Sequence, residues 1–192
     1  MSWVDDLVAK VLTVRQHDAR FAAAVERGNV WAIANQAGVT SQAGLSGTTP
    51  VLTLANPPKS GVVGKLWFVS ASVDVAFATA ATVYLALGSY SATLVTGTLT
   101  TAQRNLKTGP AGAMSVIRNF LAATLPAAPV AIDILGAYGT GAITVPLSMP
   151  ALSRWYDGAI RLEEGTNLSV QTSAASGASG LWSAFIYEEV KA

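Results

Sequence analysis

Val69-Ser70-Ala71-Ser72-Val73-Asp74-Val75-Ala76-Phe77-Ala78 alternates without a break. Val69, Ala71, Val73, Val75 and Phe77 fall on one side of an extended chain, and Ser70, Ser72, Asp74, Ala76 and Ala78 on the other. Side chains of a β-strand point alternately to its two faces, so a period of two marks a half-buried strand. The stretch lies inside the longest apolar run, Leu66 to Leu87, which is long enough to cross a bilayer. Asp74, the many Ser and Thr residues and the alternation assign it to a sheet instead.

The same period continues outward in both directions. Upstream, Leu52 and Leu54 alternate around Thr53 before the turn residues 56–61. Downstream, Val83, Leu85 and Leu87 make a strand that stops at Gly88-Ser89. Residues 92–101 read as a further strand, 113–124 as a strand or a short helix with the strand preferred, and Val130, Ile132 and Ile134 alternate through another. Residues 143–150 hold two prolines and cannot be a central strand. Residues 159–162 are a short strand, 168–172 follow an acidic turn, and 181–189 close the chain. About eight strands with closely spaced turns predict an antiparallel sandwich or barrel. No strand-helix alternation points to a parallel α/β sheet.

The N-terminal end has a different period. Ser2 fits a helix N-cap, Asp5 and Asp6 suit the positive end of the helix dipole, and Arg27-Gly28 is a stop signal. Between them Val4, Leu7, Val11, Val14, Phe21 and Val25 follow spacings of three and four, a heptad-like seam. Residues 28–50 hold Trp31, Ile33 and Val39 among Gly, Asn, Gln, Ser and Thr, which predicts an extended arm lying on a partner. The division expected is thus helix 1–27, arm 28–50 and β-sandwich 51–192. With the arm intervening, the helix seam is expected to face another subunit, and Trp31, Ile33 and Val39 to do the same.

Composition narrows the function. Only 12% of the 192 residues are charged, and 12 basic side chains nearly balance 11 acidic ones. A nucleic-acid-binding domain carries a basic surplus, so no nucleic acid is expected as partner, and no membrane. So low a charge would leave a lone monomer poorly soluble, which predicts a homo-oligomer. The acidic start lacks the basic region of a secretory signal.

The chemistry of catalysis is sparse. The chain has no Cys and one His, which removes thiolate nucleophiles and two-histidine metal sites. His17 and Asp18 are adjacent on a helix and point apart. Asp5-Asp6, Glu163-Glu164 and Glu188-Glu189 are sequence neighbours, which on a strand face opposite ways, so they read as rim charges. Asp74 and Asp133 sit within separate strands. Gly109-Pro110-Ala111-Gly112 and Gly139-Thr140-Gly141 lack the Lys-Ser/Thr ending of a phosphate loop. Asn167-Leu168-Ser169 is a glycosylation sequon with no secretory signal to use it. Trp67, Trp155, Tyr156, Trp182 and Tyr187 are candidates for core packing or sugar stacking. Trp155-Tyr156 is the best candidate for an exposed aromatic platform. No catalytic residue, cofactor or metal ligand is expected, and the chain reads as a non-enzyme.

The run Ile160-Arg161-Leu162-Glu163-Glu164-Gly165-Thr166-Asn167-Leu168-Ser169-Val170-Gln171-Thr172, a soft loop, and Leu181-Trp182-Ser183-Ala184-Phe185-Ile186-Tyr187-Glu188-Glu189 resemble the last part of a jelly roll. The pattern is similar to trimeric jelly rolls of the tumour-necrosis-factor and complement-C1q type. The stretch from Arg27-Gly28-Asn29-Val30-Trp31 to Pro50-Val51-Leu52-Thr53-Leu54-Ala55-Asn56-Pro57 resembles virion structural proteins of tailed bacteriophages. Together the two likenesses span most of residues 27–190. They imply a trimeric capsid decoration or cement protein, located in the virion and bound to the major capsid protein or other virion proteins. Two alternatives are a trimeric tail or receptor-binding protein that takes a carbohydrate, and a cellular C1q-like or lectin-like module.

Overall fold

The computed structural model describes residues 19–47, 50–75, 77, 79–89, 95–107, 115–139, 151–176 and 180–192. Among the described residues eleven strands form: β1 (Val30–Ala34), β2 (Leu52–Asn56), β3 (Val62–Val73), β4 (Ala81–Ser89), β5 (Thr96–Leu99), β6 (Arg104–Asn105), β7 (Arg118–Thr124), β8 (Val130–Tyr138), β9 (Leu152–Leu162), β10 (Thr166–Thr172) and β11 (Leu181–Lys191). They make two antiparallel sheets. Sheet A runs β6-β1-β11-β3-β9, and sheet B runs β5-β7-β2-β10-β4-β8. The protein is a mainly-β sandwich, as the alternation predicts.

Four of the pairings nest. β1 pairs with β11, β2 with β10, β3 with β9 and β4 with β8. The chain is a doubled ribbon rolled across two layers, with β5, β6 and β7 inserted between its innermost strands. The core lies between the layers. Sheet A contributes Ile33, Leu66, Val69, Phe185 and Tyr187, and sheet B contributes Leu52, Leu54, Val83, Leu85, Leu168 and Val170. These residues alternate with outward ones, so burying them fixes the register: a one-residue slip would turn the whole set to water.

The alternating stretch at 69–78 is strand only as far as Val73. There the Asp74 amide turns to the Gly180 carbonyl, 3.0 Å away. The chain bends, Val75 points outward at 40% exposure, and Phe77 returns to the core. The short strand expected at 159–162 is the end of the eleven-residue β9. Asp157 and Gly158 adopt positive φ values of 55° and 77° inside it. The resulting bulge breaks the alternation that would have revealed the longer strand.

The arm expected over 28–50 is corrected to part of the body. Trp31 and Ile33 lie on β1, paired with Tyr187 and Phe185 on β11, and both are buried in the molecule's own core. Val39 bridges to Leu181 and packs against the same core. Residues 41–47 then strap β10: the Gln171 side chain accepts from the Ser46 amide and donates to its carbonyl. Trp31 and Ile33 therefore cannot serve a neighbouring subunit. Few charges and scattered apolar residues mark a short buried strand and a strap as well as they mark an arm.

The helix seam needs a similar correction. Residues 19–26 are helical and stop at Gly28, whose φ of 74° and bond to the Val25 carbonyl close the last turn. Ala24 is fully buried with Val30 and Trp67, and Phe21 and Val25 pack against that cluster. These two seam residues face the protein's own sheet A. Val4, Leu7, Val11 and Val14, with His17, lie outside the described residues.

Candidate functional site

The edges of the sheets decide what this sandwich can bind. An edge strand offers a row of unpaired backbone groups, and proteins blunt such rows by shortening, bulging or charging them. β6 has two residues and β5 four. β9 is eleven residues long but carries the Asp157-Gly158 bulge. β8 is nine residues long and exposes branched aliphatic side chains: Val130 at 68%, Ile132 at 42% and Ile134 at 57%.

Sequence alternation placed Val130, Ile132 and Ile134 on a half-buried face. The register turns Ile134 outward, opposite Tyr84, while Val130 lies opposite Leu87 and is exposed as the first residue of an edge strand. The register slips between Val83 and Tyr84 and again between Leu85 and Ala86, leaving Leu135 and Ile132 as extra residues on β8. Each bulge shifts the phase by one. Leu135 and Tyr138 enter the core in place of the expected residues.

Behind this edge, β8 and β9 are clasped across the two sheets. Asp133 on β8 accepts from the Arg154 guanidinium at 2.5 and 2.7 Å and from the Tyr156 hydroxyl at 2.5 Å, both on β9. Gly136 lets the strands approach, because a Cβ there would lie 2.7 Å from Leu152 Cδ2. Burial, and then the hydrogen bond to Asp133, hold the Tyr156 proton far above its ordinary range. Tyr156 therefore keeps its proton at neutral pH and donates it to Asp133, which also pairs with the Arg154 guanidinium.

Tyr156 therefore turns towards the clasp while its neighbour Trp155 turns outward. The joint platform expected of the pair does not form. Trp155, 46% exposed, sits 5.0 Å from Phe68 and 5.5 Å from Phe21 between ring centroids. Trp182 is 36% exposed on the outer side of β11. Trp67 and Tyr187 are buried.

The carboxylates of Asp74 and of the pairs 163–164 and 188–189 each have a partner within the molecule. Glu188 is 3% exposed, not a rim charge: it accepts from Arg27 at 2.9 Å and from the Trp67 indole at 3.4 Å. Glu189 faces the other way and accepts from Ser115, Val116 and Ile117. Glu163 pairs with Arg161, and Glu164 accepts from the amides of Lys59 and Gly61. Asp74 accepts from Trp182. Among the described residues no group of three metal-ligating side chains forms, and no helix is long and apolar enough to cross a membrane. Compared with protein-family models, curated proteins and solved structures, the chain finds no match.

Proposed function

We propose that this chain is a structural subunit that works by surface burial, as a capsid decoration or cement protein of a bacteriophage virion. The carrying observation is the β8 edge, nine residues long with three branched aliphatic side chains exposed. Among the described residues β5 and β6 are short, and β9, bulged as β8 is, exposes no branched aliphatic side chain. Such an edge is stabilised by covering it, and apolar area leaves water at about 25 cal/mol per Å². Repeated around a particle, the contact gains from multivalency. The nested pairing supports the jelly-roll reading. Placement in the virion and the trimeric state rest on the likeness of residues 27–57 and 160–189 to such proteins. In the trimer, β8 of each copy would be buried by its neighbour.

The virion placement is tested by mass spectrometry of purified particles from a phage encoding this chain. The chain should copurify with heads in stoichiometric amount. Particles complete without it would overturn the placement. The receptor-binding reading is favoured by one separate observation, the two half-exposed tryptophans on sheet A.

A further inference from the structure

We infer that the two free edges of sheet B are complementary, and that β8 of one copy docks head to tail along β5 of a second copy of this chain. The inference rests on the trimer proposed above and names the surface that meets β8 there. In a trimer a patch does not meet itself, because self-contact makes a two-fold dimer. The β8 edge therefore needs a different surface on its neighbour.

The topology supplies one. Sheet B has six strands with β5 and β8 at its ends, and its five pairings are all antiparallel. The two end strands thus run in opposite directions. Rotation about an axis along the strands brings β5 of one copy beside β8 of the next in the antiparallel sense, the sense of every other pairing in the sheet. The side chains match as well. Ile134 stands opposite Tyr84, between Val83 and Leu85 of the core, so it projects from the outer face of sheet B. Leu99 stands opposite Phe120, and Phe120 opposite Thr53, which lies between Leu52 and Leu54 of the core. Leu99 therefore projects from the same outer face. It is 53% exposed and Ile134 57%. Side by side the two make an aliphatic cross-strand pair.

No charge guards the junction. The four residues of β5 are uncharged and exposed. The single charge on β8, Asp133, is turned towards β9, where it pairs with Arg154. Edges that must stay free are commonly guarded by a charge or a proline. The two bulges of β8 limit the regular ladder it offers, so a four-residue strand suits it better than a long one.

The test uses thiols, since the chain has no cysteine of its own. Leu99→Cys and Ile134→Cys, both at exposed positions, are made separately and together. Opposed side chains of an antiparallel pair stand about 5 Å apart, close enough for a disulfide after a small adjustment. After oxidation at micromolar concentration, the two single variants co-expressed should give a covalent dimer, and each alone should give none. The double variant should give a covalent ladder that ends at three. Leu99→Lys should lower the sedimenting mass as fully as Ile132→Lys with Ile134→Lys. A covalent dimer from Ile134→Cys alone would mean that β8 meets its own copy, which overturns the docking on β5 and leaves β8 as the contact. An oligomer that gives no disulfide in the co-expressed pair, or that keeps its mass in Leu99→Lys, would overturn the docking as well. A monomeric wild type would overturn both the trimer and the docking.

Discussion

Tyr187 shows how a single side chain records its surroundings. Its ring lies in the core at 1% exposure while its hydroxyl reaches Ser115 Oγ at 2.8 Å. Burial pushes the hydroxyl pKa up to about 12, although its hydrogen bonds with Asn119 and Ser115 pull it down. A group whose folded pKa is raised keeps its proton in the native state after the unfolded chain has lost it. The stability it contributes is present below pH 10 and is lost as pH rises towards 12. Chemical denaturation at both ends of that window should show wild type losing about 2–3 kcal/mol more than Tyr187→Phe. Equal losses would mean that Tyr187 titrates normally. Nothing in the sequence revealed this environment, because Ser115 and Asn119 come from a strand and turn far along the chain. The same holds for Asp133: its strand was legible, but its partners Arg154 and Tyr156 depend on how two edges meet.

Among the elements, legibility depended on phase. Strands with regular pairing, such as β10 and the body of β11, read correctly from alternation. β8 did not, because two bulges reverse the phase after Ile132 and again near Leu135. β9 was truncated for the same reason at Asp157 and Gly158. β1 was missed because a five-residue strand among polar residues has too few periods to stand out. The helix end was legible through Arg27-Gly28, but its docking face was not. Glu188 holds that docking by pairing Arg27 and the Trp67 indole in a nearly closed site. Glu188→Ala would remove the carboxylate that accepts from Trp67 and Arg27, at a cost of about 1–3 kcal/mol. Hydrogen exchange should then rise selectively in residues 19–26 while β3 and β11 remain protected. Unchanged exchange in the helix would mean that Phe21, Ala24 and Val25 hold it alone.

For the whole molecule, composition and topology bear on the same claim. A chain with 12% charged residues and a net charge of +1 has little electrostatic repulsion to keep copies apart. One of its four sheet edges is long and apolar, so association should be directed rather than general. Lysine at Ile132 and Ile134 would place charge on that edge, as native edge strands do. Both positions are largely exposed, so folding should change by less than about 1 kcal/mol for the pair. Sedimentation velocity of the complete chain and of Ile132→Lys/Ile134→Lys, at matched micromolar concentration, tests the claim most directly. A discrete oligomer is expected for the wild type and a folded monomer for the variant. A monomeric wild type, or a variant that keeps the wild-type mass, would contradict it.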